Sequence, residues 1–365
     1  MSRPRLAPGV FALPVDRLRE GHYTDAYFNG AKHVLEAKDL HPRVTMQVFQ
    51  KTDGAVLGGM DEALAMLRLC SGRFEGEGED RRWKDGWDEL VVHALYDGDE
   101  LFGWETVLTI EGDYSLFAHL ETVYLGALSR RTLISTNVRR VVEAAGGKPI
   151  LFFPARFDHY RVQTGDGYAA HIAGAIGVST DAQASWWGGR GVGTVPHALI
   201  AAYGGDTVAA ASAFADLYYP EINITALVDW DNDCVATSLA CARALGERLW
   251  GVRLDTSETM VDRSLWDEMG AFRPNGVAPE LVRAVRRALD EEGFQHVHIV
   301  VSGGFDAERI RRFEAAGVPA DAYGVGSSLL RGNTDFTADV VLREGRTCAK
   351  VGRRYRPNPR LERVT

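Results

Sequence analysis

The sequence predicts an α/β protein, an irregular TIM-like barrel with a smaller N-terminal α+β domain completed by the C-terminal tail. Three observations carry that prediction. From residue 149 to residue 328, short apolar runs alternate with helical segments, the pattern of a parallel sheet. Chemistry-bearing residues close several of those runs in succession, which favours a barrel over a doubly wound sheet. The chain, at 365 residues, also exceeds the usual size of a single core.

Residues 1–120 are read as the N-terminal α+β domain, 121–332 as the barrel, and 333–365 as a tail that packs back on the first domain. In the first part, VTMQVFQ (44–50) and ELVVHALY (89–96) are β-like, and DEALAMLRLC (61–70) repeats Leu64, Leu67 and Cys70 at helical spacing. The charged, Gly-rich stretch 71–87 reads as an exposed loop, and residues 116–146 as a long helical region. The later strands are expected in PILFFPAR (149–156), GVGTVPH (191–197), TALVDWD (225–231), LWGVRLD (249–255), HVHIVVSGG (296–304) and AYGVGSS (322–328). In PELVRAVRRALDEEG, Pro279 suits a first helical turn, and Leu281, Val285, Ala288 and Leu289 form an apolar face. In FDAERIRRFEAAG, Asp306 is the expected N-cap, Ile310 and Phe313 face inward, and Gly317 closes the helix. The tail reads as two strands, DFTADVVL (335–342) and CAKVGRR, turning at Glu344-Gly345.

Hydrophobic residues make up 45% and charged residues 25% of the chain, an ordinary soluble balance. A formal net charge of -9 argues against a nucleic-acid or membrane partner, whose phosphates need a basic face. Small anionic substrates in a local basic pocket remain compatible with it. Cys70, Cys234, Cys241 and Cys348 form no CxxC pair, so no zinc knuckle or redox dithiol is written, and their scarcity fits a reducing cytoplasm. The first residues carry Pro4, Pro8 and Pro14 and no signal-like apolar core, and no stretch approaches the roughly 20 apolar residues of a membrane span. A soluble, cytoplasmic protein is expected.

Ser302-Gly303-Gly304 follows an apolar strand and precedes a helix, so free N–H groups and close backbone approach would make a phosphate seat there. Gly324-Val325-Gly326-Ser327 ends the next strand and forms a second candidate. Tight-turn packing is the competing explanation for both. Asp229, Asp231 and Asp233 in VDWDND, and Arg253 with Asp255 in VRLD, place charges at strand ends. An unpaired carboxylate closing an apolar strand is costly, so Asp255 is either paired, a helix cap, or aimed at a cation at the barrel mouth. The D-x-D-x-D spacing lacks the glycine and distal glutamate of a calcium loop. His197 and Arg156 end further runs, with structural roles as the plainer alternative. Composition and spacing by themselves reach an α/β barrel handling a phosphorylated ligand.

In order along the chain, TDAYF (24–28), FFPARFDH (152–159), AIGVST (175–180), GTVPHAL (193–199), TALVDWD, VRLD, SGG, GVGSS and AKVGRR resemble motifs of the nicotinate phosphoribosyltransferase family. GTVPHAL and VRLD are the most specific of these. The resemblance implies a type II phosphoribosyltransferase working as a homodimer with shared active sites. Its substrates would be nicotinate and phosphoribosyl pyrophosphate, with Mg²⁺ as cofactor and ATP as co-substrate. It implies that Asp25 and Tyr27 reach in from the neighbouring subunit, Tyr27 stacking on the pyridine ring and Phe153 covering its other face. Arg253 would sit by the ring and its carboxylate, and Arg156, with Lys51, by the phosphates of the leaving group. Asp229 and Asp255 would lie near the ribose and its metal. Gly303, Gly304, Gly324, Gly326 and Ser327 would seat the 5-phosphate, and Asn275-Gly276 the ribose hydroxyls. His197 corresponds to a histidine that members phosphorylate with ATP.

Ser179 stands where nicotinamide-using relatives place an Asp, and a neutral donor there suits a carboxylate better than an amide. Departures from the family pattern are Phe157 where a second Arg is usual, Pro154 for a glycine, and Ser257-Glu258 where Gly-Asp is common. The alternatives are a nicotinamide- or quinolinate-type transferase and a phosphosugar-binding barrel enzyme of another class. The last would want a Schiff-base lysine or an acid–base pair at strand ends, and no strand lysine is expected between 149 and 330.

Overall fold

The computed structural model describes residues 3–365, and the chain forms two compact units, Met1–Thr136 with Gly332–Thr365, and Asn137–Arg331. The first unit is built on a six-stranded antiparallel sheet. Its central strand, Arg43–Gln50, is buried at every position after the first and pairs with Thr106–Asp113 on one side. On its other side lies Phe336–Arg343, so the tail completes the sheet as expected. The helix Met60–Cys70 lays Leu64, Leu67 and Cys70 into the core beneath, all three buried.

Two expectations for this unit need correction. The stretch 71–87 is not a plain loop. Gly72–Glu75 and Arg82–Asp85 form a hairpin, with Phe74 opposite Trp83 and their rings edge-on at 4.9 Å. The surrounding charges conceal that cross-strand pair, which is what holds the ribbon. The tail's second strand is only Arg346–Thr347, and the CAKVGRR run is irregular. Instead, Glu362–Arg363 pairs with Val91–Ala94 at the other edge. The turn at Glu344-Gly345 is as read, with both residues at positive φ (49° and 71°), the geometry of a tight hairpin.

The second unit carries a six-stranded parallel sheet in the order Ile224–Leu227, Leu249–Leu254, His298–Val301, Ala322–Val325, Ile150–Phe152, Gly177–Val178. Helices separate these strands in sequence. In Pro279–Glu291 the buried face is Leu281, Val282, Val285 and Leu289, Val282 taking the place expected for Ala288. Asp306 caps Ala307–Ala315 through the Arg309 N–H at 2.9 Å, Ile310 and Phe313 are buried, and Gly317 sits at φ 60°.

The expected strand at 191–197 does not form. This segment lies across the gap between the first and last strands of the sheet: the Val192 N–H donates to Val178 O at 2.7 Å and the Val195 N–H to Thr225 O at 3.1 Å. Glycines at 191 and 193 and Pro196 prevent a regular ladder. The barrel is therefore closed irregularly, by two single bonds where a strand would stand. All strands share one direction, so their C-terminal tips gather at one end, as in barrel enzymes generally. Among the described residues no helix is long and apolar enough to cross a membrane.

Candidate active site

A cavity of about 340 Å³ opens at the strand tips of the second unit. Of the residues singled out in the sequence, Phe153, Arg156, Ser179, Arg253 and Asp255 line it. So do the glycine turns at Gly303-Gly304 and Gly324 with Gly326, and Ser327. The residues come from five separate strand ends.

Arg253 and Asp255 alternate along one strand and so share a face. The Arg253 Nη2 lies 2.9 Å from Asp255 Oδ2. Arg253 Nε donates to Ser302 Oγ at 2.7 Å, and Ser302 donates in turn to Asp255 Oδ1 at 2.7 Å. The three groups form a closed, charge-assisted cluster that fixes the guanidinium plane. Arg253 also donates to Thr194 Oγ1 at 3.2 Å, and its guanidinium carbon stands 5.5 Å from the centre of the Phe153 ring. A cation beside an aromatic wall makes a seat for a flat anion.

Phe153 is positioned by a glycine. A Cβ at Gly324 would meet the Phe153 ring at 2.9 Å, and one at Gly326 would meet Phe157 at 3.0 Å. The Gly324–Gly326 turn therefore owes its glycines in part to ring packing, the plainer of the two explanations raised from sequence. The Gly303-Gly304 turn is different. Both residues have positive φ, 85° and 71°, and a Cβ at Gly304 would fall 2.1 Å from Glu258 Oε1. The Glu258 carboxylate lies against this turn and pairs with Arg309 Nη1 at 3.1 Å. Asn275 lines an adjacent cavity with Glu258 and Arg309, and Gly276, at φ 68°, packs against the Glu258 backbone. The Asn275-Gly276 loop thus adjoins the Gly303-Gly304 turn without lining the main cavity.

His197 is the first residue of the helix His197–Ala202, directly after Pro196, which does line the cavity. Its Nε2 sits 3.1 Å from Asp229 Oδ1. Burial pushes the Asp229 carboxyl above its ordinary range, His197 opposes that rise, and the charge of Asp255 adds to it. The two carboxylates and the imidazole are thus one electrostatic group. The neighbouring Asp233 is a helix cap, accepting from the Ala236 N–H at 3.1 Å. Among the described residues no group of three or more His, Cys, Asp or Glu could hold a metal. Asp229 and Asp255 fit a cation that brings most of its own oxygen ligands.

The Ser179 hydroxyl is engaged within its own turn, donating to Gln183 Oε1 at 3.1 Å, so it is not the free donor expected from the sequence. Thr194 supplies one instead: its oxygen accepts from Arg253, which leaves its hydrogen for a ligand in the cavity. Thr194 and Arg331, both lining the cavity, were not singled out from sequence, whereas Ser302 was read only as part of a phosphate turn and Glu258 only as a departure from the family pattern. A hydroxyl or a loop acid announces nothing until its neighbours are known, although Thr194 lies inside the GTVPH run.

Asp25, Tyr27 and Lys51 belong to the first unit. Tyr27 is an exposed ring at 67% accessibility, Asp25 bonds to Thr122, and the Lys51 ammonium stands 5.8 Å from the Trp104 ring centre.

Residues 25–132 match the family model described as quinolinate phosphoribosyl transferase, N-terminal domain. A nicotinate phosphoribosyltransferase of Mycobacterium tuberculosis is 32% identical over 257 residues, covering 69% of this chain and 52% of that protein. The chain thus spans about half the length of the curated relatives it matches. Among solved structures, a nicotinate-nucleotide pyrophosphorylase from Pyrococcus furiosus aligns over 100% of this chain and 86% of its own, with 32% identity and a TM-score of 0.77. The human nicotinic acid phosphoribosyltransferase shares the fold at 17% identity, with 89% and 75% of the two chains covered and a TM-score of 0.63.

Proposed function

Because the chain belongs to the type II phosphoribosyltransferase family, we propose that it is an enzyme joining nicotinate to phosphoribosyl pyrophosphate in NAD salvage, with nicotinate mononucleotide and pyrophosphate as products. The observation that carries this reading is the Arg253–Ser302–Asp255 cluster beside the Phe153 ring. It offers a flat aromatic wall, one immobilised cation and one carboxylate within a single cavity.

In this reading the pyridine ring lies on Phe153, with its carboxylate toward Arg253 and Thr194. The ring nitrogen attacks C1 of the ribose through its own lone pair, and the bond from C1 to pyrophosphate breaks. No proton has to be removed from the nucleophile, so the protein needs no general base. What it must supply is orientation and charge. Asp255 stabilises the positive charge that develops on the ribose, as at a glycosidic centre. The Gly303-Gly304 turn seats the 5-phosphate, with Gly326 and Ser327 along the next strand tip. Arg156 lines the same cavity with its guanidinium 5.4 Å from the Phe157 ring centre, and is available to the departing pyrophosphate. Mg²⁺ brought in on the pyrophosphate, with Asp229 or Asp255 completing its shell, would neutralise the leaving group.

A single well-anchored ring-side arginine suits a monoacid better than quinolinate, a diacid. The absence of a carboxylate at Ser179 favours the acid over nicotinamide. We also assign ATP coupling to His197: with Nε2 turned to Asp229, its Nδ1 faces away from that carboxylate and can accept a phosphoryl group. Asp25 and Tyr27, and the weaker candidate Lys51, complete the site from a second subunit of a homodimer. Four free cysteines, three of them buried, fit a cytoplasmic setting.

The test is pyrophosphate release from phosphoribosyl pyrophosphate and Mg²⁺. Release should depend on nicotinate and fall about a hundredfold or more in R253Q and D255N. Release without nicotinate, or variants as active as wild type, would contradict the assignment.

A further inference from the structure

Asp25 stands at the N-cap of the helix Ala26–Ala37, where an aspartate ordinarily turns back to accept from its own helix's first N–H groups. Here it does not: no side-chain cap bond is made. The carboxylate is held away from the helix by Thr122, in the first turn of the helix Glu121–Ala144. The contact is reciprocal. The Asp25 backbone N–H donates to Thr122 Oγ1 at 3.0 Å, and that hydroxyl donates to Asp25 Oδ2 at 2.8 Å. One side chain therefore fixes both the backbone entry and the carboxylate of Asp25. The Tyr27 hydroxyl lies 3.4 Å from the same Oδ2, so the exposed ring is tied to the same anchor. Thr24 reinforces the seam, its hydroxyl donating to His119 O.

The surroundings make this arrangement unfavourable without a donor. Glu121 precedes Thr122, and burial, with the charges of Asp339 and Asp25, pushes its carboxyl up to about 7. Tyr27 is raised too, by desolvation first and then by Asp25 and Glu121. Beside these acids, the Thr122 hydroxyl is the neutral donor that satisfies the Asp25 carboxylate and keeps it turned outward.

We propose that Thr122 is a positioning residue: it diverts Asp25 from capping its own helix and so presents the Asp25–Tyr27 pair in the orientation that engages the pyridine substrate. This rests on the functional reading above. A stability role alone would lower the unfolding temperature. A positioning role changes the affinity for the ring and leaves the other substrate untouched.

The experiment compares wild type, T122V, T122S and D25A in the full-length protein. Valine keeps the shape and removes both halves of the contact, whereas serine keeps both. KM for nicotinate should rise roughly tenfold in T122V, the effect of losing a hydrogen bond to a charged group. KM for phosphoribosyl pyrophosphate should stay within about twofold, and T122S should restore the wild-type value. If T122V does not fold, T122A takes its place with the same expectation. If D25A raises KM for nicotinate while T122V or T122A does not, the proposal is overturned and the functional reading stands. If D25A also has no effect, the role of this segment in catalysis falls and the proposal with it. Parallel rises in both KM values, without rescue by serine, would mean a structural role only and would overturn it as well.

Discussion

Arg253 and Asp255 stand at the tip of one strand with Nη2 2.9 Å from Oδ2, and Ser302, just past the end of the adjacent strand, hydrogen-bonds to both. Their side chains are about four-fifths buried, at 20% and 19% accessibility. The relationship sets the cation and the carboxylate at a fixed spacing before any ligand arrives. Such preorganisation is what a reaction with little proton transfer can use.

Removing the bridge should loosen both partners without deleting either charge. S302A is expected to lower kcat/KM about tenfold, the loss of one hydrogen bond to a charged group. R253K should do worse than S302A, since lysine cannot reproduce the three-way contact of the guanidinium. Steady-state kinetics with nicotinate as the varied substrate checks both, and an R253K enzyme with wild-type kinetics would contradict the geometry.

Selectivity for the acid is assigned to Thr194 and to the neutral residue at 179. T194V should raise KM for nicotinate several-fold and leave that for nicotinamide unchanged. S179D should shift the preference toward nicotinamide, because a carboxylate repels the acid and accepts from an amide. Competition between the two pyridines, read as a ratio of kcat/KM values, measures the shift, and an unchanged ratio in both variants would remove this account.

The role given to His197 predicts a separable effect of ATP. H197A should abolish any ATP stimulation of turnover while ATP-independent transfer persists at a reduced rate. Turnover assayed with and without ATP decides it, and stimulation that survives the substitution would exclude phosphorylation of this residue.

One buried and one half-buried group in the first unit predict opposite pH dependences of stability. Burial drives His119 down to about 3, so the unfolded chain takes up its proton first as pH falls below 6.5, and stability drops from there toward pH 3. Glu121, pushed up to about 7, holds its proton longer when folded; its contribution is present at low pH and is lost as pH rises from 4.5 through 7. The two nearly cancel in the wild type between pH 5 and 7, so variants must separate them. Relative to wild type, H119Q should gain about 2 kcal/mol on going from pH 7 to pH 5, and E121Q should lose about as much. Urea unfolding at the two pH values gives these differences. Variants whose difference from wild type is independent of pH would show that neither group titrates with folding.

Much of this site was legible because parallel strands place their last residues together. Arg253, Asp255 and Gly303-Gly304 could be singled out as strand endings and Phe153 through the family resemblance, and the cavity gathers them. What escaped depended on partners that a strand-end reading does not supply. Ser179 reads as a free donor until Gln183, four residues on, is seen to take its hydrogen. Gly324 reads as a phosphate seat until the Phe153 ring is found in the space its side chain would fill. The GVGTVPH run has the composition of a strand, yet Gly191, Gly193 and Pro196 leave it only single bonds to Val178 and Thr225. The hairpin at 72–85 was hidden because its apolar content is one pair, Phe74 and Trp83, among charges. The diversion of Asp25 toward Thr122 could not be read at all, since an aspartate before a helix looks like an ordinary cap.

The most direct measurement is product identification after incubating the protein with phosphoribosyl pyrophosphate and Mg²⁺, offering nicotinate, nicotinamide and quinolinate in parallel, with and without ATP. Nicotinate mononucleotide should form fastest from nicotinate, with little nicotinamide mononucleotide and no carbon dioxide released from quinolinate. Carbon dioxide release with nicotinate mononucleotide formed only from quinolinate, or no nucleotide from any of the three, would contradict the account.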